Sequence, residues 1–180
     1  MFVRISAALA AISLLSSAAF VTGAALAQGA PKPTDPQIAH IAYTAGVLDV
    51  TAAKQALAKS NSKAIKSFAE DMVRDHEAVN QQALALVKKL NVTPEDNETS
   101  RALSKQAAAK LAEMEKLKGA EFDKAYAANE VAYHKAVNGA LETLLIPSAT
   151  NAELKSLLQT GLKIFQGHLQ HAEHVAASLK

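Results

Sequence analysis

Residues 63–90 read KAIKSFAEDMVRDHEAVNQQALALVKKL. Apolar side chains recur at Ile65, Phe68, Met72, Val79, Ala83, Leu86 and Leu90. Those steps follow the repeat of an α-helix with one buried stripe, not the alternation of a strand. Asp75-His76 interrupts the stripe, and His76 lies one turn beyond Met72, where the period calls for an apolar residue. A polar ring carried into a core needs a partner there, because an unpaired buried polar group is costly.

Upstream, Asp35-Pro36 reads as a helix start, with Asp35 as N-cap and Pro36 at the first helical position. Ile38, Ile41, Ala45, Leu48 and Ala52 carry the stripe of a first helix to about Lys59. Only Ser60-Asn61-Ser62 separates it from the next, so the two are antiparallel neighbours. Downstream, Asn91 to Asn97 is turn-rich, and a helix from about Glu98 to Lys118 has a thin stripe of Leu103, Ala107, Leu111 and Met114. Gly119 ends or breaks it. A further helix spans about Glu121 to Leu145, with Phe122, Tyr126, Tyr133, Val137, Leu141 and Leu144 on one side, and Pro147 stops it. Thr150-x-x-Glu153 reads as a capping box for a last helix carrying Leu154, Leu157, Leu158, Phe165, Leu169, Ala172, Val175 and Leu179. No strand pattern occurs. Two helices with a tight link, a long helical crossover and two more helices with a short link make the connectivity of ferritin-like bundles. The fold expected for residues 35–180 is therefore all-α: a ferritin-like antiparallel four-helix bundle with an additional helix in the long crossover.

The start of the chain reads differently. Arg4 precedes an uncharged run from Ile5 to Val21, and Ala25-Leu26-Ala27 offers the small-x-small pattern of an export signal cleaved before Gln28. Residues 1–27 are thus expected to be a signal peptide, 28–34 a flexible linker, and the product periplasmic or secreted, without a lasting membrane anchor. Removing Arg4 lowers the formal charge from +2 to +1. Mixed signs near neutrality give no footprint for nucleic acid and no block of like charge to hold an anionic membrane. With no Cys, the chain has no disulfide, no thiolate metal site and no Cys nucleophile. No Gly-rich phosphate loop or Gly-x-Ser-x-Gly elbow is present either, and the balance leans away from an enzyme.

Each principal helix carries a metal-capable side chain within its stripe: Asp49, His76, His134 and His168. Asp49 has Ala42, Ala45, Ala52, Ala53 and Ala56 as its helical-face neighbours. Asp75, Glu130 and His171 lie within a turn of the histidines and are candidates to orient them. One carboxylate and three imidazoles suit a single zinc, copper, iron or manganese ion. The same residues also suit a hydrogen-bonded core that fixes helix register without metal, as a structural or interaction module would use. Glu-x-x-His, the spacing of carboxylate-bridged di-iron bundles, does not occur, which disfavours oxidase chemistry of that type. His168, His171 and His174 progress around the last helix, so His174 is expected at the surface.

Phe68-Ala69-Glu70-Asp71-Met72-Val73-Arg74-Asp75-His76 resembles the FA-x-x-MV-x-DH signature of a bacterial secreted family of unknown function, domain family 4142. Phe122-Asp123-Lys124-Ala125-Tyr126 with His134 resembles its FD-x-x-Y…H segment, and His168-Leu169 with Ala172 its HL-x-x-A segment. The likeness runs from about Asp35 to Leu179. It implies a ferritin-like bundle in the periplasm or cell envelope and no established activity. His76, His134 and His168 fall on the family's motif histidines, while Asp49 stands where the usual pattern has Glu. The expected role is non-enzymatic metal binding or envelope stress protection, with the polar-core module as the alternative.

The intact mass of the exported protein is expected to correspond to a chain beginning at Gln28 or within a few residues of it. A stable product that keeps Phe2 to Ala27 in the membrane fraction contradicts the export reading.

Overall fold

A short apolar repeat and a loop that cannot wander set the first pair of helices. In the computed structural model, which describes residues 32–179, α1 spans Asp35–Lys59 and α2 spans Lys63–Lys89. The expected signal segment and most of the linker lie outside the described residues. Ser62 starts α2 by accepting from the Ile65 amide at 3.4 Å, which satisfies one of the free donors at a helix start. After a turn, α3 (Glu98–Glu115) is followed by α4 (Gly119–Ala140), a π turn over Leu141–Leu145, the single turn α5 (Ile146–Ser148) and α6 (Ala152–Ser178). The described residues form helices and connecting turns, and no strand. None of these helices is long and apolar enough to cross a membrane.

Contacts between the ends give the directions. Lys59, at the end of α1, stands 5.6 Å over the ring of Phe122, at the start of α4, so α1 and α4 are antiparallel. Lys89, at the end of α2, pairs with Glu153, at the start of α6, so these two are antiparallel as well. The start of α3 meets the start of α1, with the Glu95 amide on the Pro36 carbonyl at 3.0 Å. Its end meets the end of α1, where Gln55 donates to the Leu111 carbonyl at 3.1 Å. α3 therefore runs parallel to α1 and carries the chain back so that α4 can descend beside it. The long helices close a ring in the order α1, α2, α6, α4, each packed against the next. Consistent with its thin stripe, α3 buries only Ser100 and Met114.

The apolar core is in two parts. One, around Phe68, Met72, Phe122, Tyr126 and Ala172, fills the end where α1 meets α2. The other, around Ile38, Ile41, Leu141, Leu158 and Phe165, fills the opposite end. Asp49, His76, His134 and His168 lie in sequence between the residues of these two clusters on each long helix.

Four local expectations change. The N-cap of α1 is Thr34, with Asp35 already helical. Asp35 is drawn instead to the start of α6, accepting from the Thr150 and Asn151 amides at 2.9 Å each and from the Thr150 hydroxyl. Thr150 is thereby taken, and Asn151 caps α6, accepting from Glu153 and Leu154 at 2.9 and 3.0 Å. Pro147 does not end the helical path at Leu145; it sits in the first turn of α5, after a π turn. Proline lacks the amide that would continue the ladder, and the wider turn before it absorbs the break. Finally, α3 stops at Glu115, and Gly119 opens α4 at φ +52°, a conformation that favours glycine.

Asp35→Ala removes the tie between the starts of α1 and α6. It is expected to destabilise the fold by about 1–2 kcal/mol in urea denaturation. A change indistinguishable from zero contradicts the role given to this carboxylate.

Candidate metal centre

The four long helices deliver their polar interruptions to one level. Asp49 comes from α1, His76 from α2, Glu130 and His134 from α4, and His168 from α6. All five are buried, Glu130 and His134 with 1% of their surface exposed. Space for the rings comes from small residues on α1: Ala45, Gly46, Ala52 and Ala53 are all buried. The three imidazole centroids form a nearly regular triangle: His76–His134 5.7 Å, His76–His168 5.3 Å and His134–His168 5.5 Å. Phe165 stacks on His76 at 4.5 Å with the rings 5° from parallel, closing one side with an apolar face.

Hydrogen bonds fix which ring nitrogens carry protons. His134 Nδ1 lies 3.0 Å from the Glu130 carbonyl oxygen. A carbonyl only accepts, so Nδ1–H donates and Nε2 keeps its lone pair. His168 Nε2 lies 3.0 Å from Asp75 Oδ2. Burial works to raise Asp75, but bonds from Arg74 and His168 outweigh it and hold the carboxyl below its ordinary value. An ionised carboxylate also only accepts, so Nε2–H donates and Nδ1 of His168 is left with the lone pair. A carboxylate or carbonyl behind an imidazole is the usual means of orienting a metal-binding histidine. Neither nitrogen of His76 has a hydrogen-bond partner within the protein, nor does His134 Nε2 or His168 Nδ1.

Asp49 faces this group. Its Oδ2 stands 3.5 Å from His76 Nε2 and 3.6 Å from His134 Nε2. Both separations exceed the ordinary N–H···O range of about 2.7–3.2 Å. They match the spacing of two ligands on one ion: ligand atoms about 2.1 Å from a tetrahedral metal stand about 3.4 Å apart. His76, His134 and His168 each offer a ring nitrogen, all within 4.8 Å of one another. Asp49, Glu130 and His134 form a second group of ligand atoms within the same limit.

The electrostatics favour lone pairs over charges. Burial drives His76 well below its ordinary value, and His134 and His168 add to the effect. Burial also takes His134 down to about 4 and lowers His168 against the pull of Asp75. The imidazoles are therefore neutral near pH 7, so the contacts to Asp49 are not ion pairs. Burial raises Asp49 to about 7 and lifts Glu130 well above its ordinary value, with the Asp49 charge adding to it. Neutral imidazoles with free lone pairs beside buried carboxylates are a donor set that could hold a cation.

The sequence matches, over residues 21–175, the family described as domain of unknown function (DUF4142). The chain belongs to this family. No curated protein and no solved structure matches it significantly. Family membership assigns no activity, so the site is read from its own geometry.

All four residues singled out as ligands in the sequence meet in this layer. Asp75 stands behind His168, as a group that orients it. Glu130, expected only to orient His134, does so through its backbone carbonyl, while its buried side chain joins the group with Asp49. His171 lies outside both groups: its Nδ1 is 3.8 Å from Asp71 Oδ2, and its ring packs edge-on against Phe68 at 5.0 Å. His174 is exposed, as its helical angle requires. Tyr126, counted from sequence only in the apolar stripe and the family segment, has a buried hydroxyl with no hydrogen-bond partner, and Asn138, which bonds the Phe165 carbonyl at 3.2 Å, was not singled out. Their signal was the four-residue step: Tyr126, Glu130, His134 and Asn138 share one face of α4.

Asp49 has a raised pKa in the fold, about 7 against 3.8. A raised value adds stability that is complete below 3.8 and is lost as pH rises through about 7. Asp49→Asn cannot ionise and escapes that loss, while the histidine titrations are common to both proteins. In metal-free protein, the melting temperature of Asp49→Asn relative to wild type is expected to rise between about pH 4 and about pH 8. A difference that is flat with pH contradicts the burial of an ionisable Asp49.

Proposed function

We propose that the protein is an exported metal-binding helical bundle of ferritin-like arrangement, holding one first-row transition-metal ion through His76, His134, His168 and Asp49 in the cell envelope. The observation that carries this is the set of buried polar atoms without partners: His134 Nε2, His168 Nδ1, both nitrogens of His76, one a lone pair and one an N–H, and both oxygens of Asp49. A hydrogen-bonded core would join these atoms to one another, and the Asp49–imidazole separations of 3.5 and 3.6 Å, longer than the ordinary range for such bonds, support the metal reading over it. Three nitrogens and one carboxylate oxygen suit zinc, copper or iron, and the order of affinities is expected to follow the general rise from manganese to copper. When bound, the ion would supply a positive charge that lets Asp49 ionise inside the core. Binding, rather than turnover, fits the surroundings. The cavity that reaches Asp49 measures about 30 Å³, room for water and not for an organic substrate.

Zinc titrated into untagged, metal-free protein is expected to bind at one equivalent and raise the melting temperature. A ligand present at about 100 times its Kd adds about 2.7 kcal/mol of stability. His134→Ala is expected to abolish both effects, and His174→Ala, altered at an exposed position, to keep them. If His134→Ala instead costs about 1–3 kcal/mol with no response to zinc, copper, iron or manganese in either protein, the residues form a polar core and the metal reading fails.

A further inference from the structure

The centre has a second face that the histidine set does not use. Asp49 and Glu130 are both almost wholly buried, at 2% and 1% exposure. Asn129 donates to Glu130 Oε1 at 3.2 Å, but Glu130 Oε2 has no hydrogen-bond partner within the protein, and neither has Asp49 Oδ1. Two carboxylates close together in a core repel one another when both ionise, and each resists desolvation. The nearby basic side chain does not resolve this. Lys110 lines the same cavity but is drawn outward to Glu113, 2.6 Å away on its own helix. The tyrosine hydroxyl beside them is also engaged elsewhere, Tyr133 donating to the Ala45 carbonyl at 2.7 Å.

A cavity of about 30 Å³ between α1, α3 and α4 reaches this pair, lined by Leu48, Asp49, Lys110, Asn129, Glu130 and Tyr133. It has room for at least one water molecule. Asp49, Glu130 and His134 each bring a ligand atom within 4.8 Å of the others. The proton on His134 Nδ1 is committed to the Glu130 carbonyl, so His134 has one free nitrogen, and the histidine centre uses it. What remains on the cavity side is carboxylate oxygen, with room for water beside it.

We infer that Asp49 and Glu130 form a second cation position beside the histidine centre, selective for an oxygen-preferring divalent ion such as Mn²⁺, with Asp49 shared between the two. Carboxylate and water ligands favour such ions, as imidazole favours zinc or copper. The crossover helix α3 acquires a role in this arrangement: it walls the cavity through which the second ion meets its ligands. The inference rests on the proposed histidine centre only through the shared Asp49, and the two readings fail separately.

The test uses the full chain, first loaded with one equivalent of zinc and then titrated with Mn²⁺, following free Mn²⁺ by electron paramagnetic resonance. Wild type is expected to bind one Mn²⁺ per chain with its zinc retained. Glu130→Gln, which keeps the shape and the backbone carbonyl, is expected to weaken manganese binding at least tenfold and leave zinc content unchanged. Bound manganese in wild type is further expected to show no nitrogen coupling from a directly ligated imidazole, a reading that stands even if the variant folds poorly. Zinc-loaded wild type that leaves all Mn²⁺ free overturns the inference while sparing the histidine centre. Equal manganese binding by a folded Glu130→Gln overturns it as well, as does imidazole coupling, which would place the manganese among the histidines. Manganese binding without zinc uptake would sink the histidine centre and leave this position standing.

Discussion

Nitrogen and oxygen atoms buried without hydrogen bonds are the constraint on which this structure turns. Each such group costs about 1–3 kcal/mol if it stays unmatched, and domains of this kind are stable by only about 5–15 kcal/mol in total. Asp49, His76, His134 and His168 contribute six such atoms in one layer, the two oxygens of Asp49 and four ring nitrogens. The layer divides the apolar core into two clusters. A bundle that kept these groups only for packing would do better with apolar residues of the same size. The proposed cation would account for their being gathered in one layer and for separations longer than ordinary hydrogen bonds, while burial by itself keeps the rings neutral.

The rest of the fold serves that layer. Alanines and a glycine on α1 let the helices approach closely enough for imidazoles to converge. At Gly46 the backbone faces the side chain of Asn80, and a Cβ there would stand 2.2 Å from its Oδ1, so no larger residue fits without displacing it. The ring of α1, α2, α6 and α4 brings one of the four residues Asp49, His76, His134 and His168 from each helix to a common level, which a pair of helices alone would not. The α3 crossover reverses the chain so that α4 descends antiparallel to α1. Without that reversal, Glu130 and His134 would not come to the level of Asp49.

Much of this was legible in residue spacing. His76 one turn after Met72, and His168 between Phe165 and Ala172, are polar residues where the helical period demands apolar ones, and that conflict locates the layer. The helices themselves follow from stripes and short links, and the resemblance through Asp75-His76 pointed to the family whose match covers residues 21–175. What escaped depends on contacts between distant residues. Asp35 reads locally as an N-cap, but it bonds Thr150 and Asn151 on another helix, and nothing near Asp35 announces that. Glu130 lies on the His134 face, yet its burial beside Asp49 is set by how α1 and α4 pack. The π turn before Pro147 leaves no periodic trace, because a helix that widens by one residue for a single turn looks, in sequence, like a helix that ends.

The account stands most directly on whether imidazoles ligate an ion in this layer. X-ray absorption at the zinc K-edge of untagged, zinc-loaded protein measures that without any mutation. The account predicts an all-nitrogen and oxygen shell at about 2.0–2.1 Å with the outer-shell scattering of three imidazoles. A shell of oxygen alone, or zinc that washes away on desalting, would contradict it.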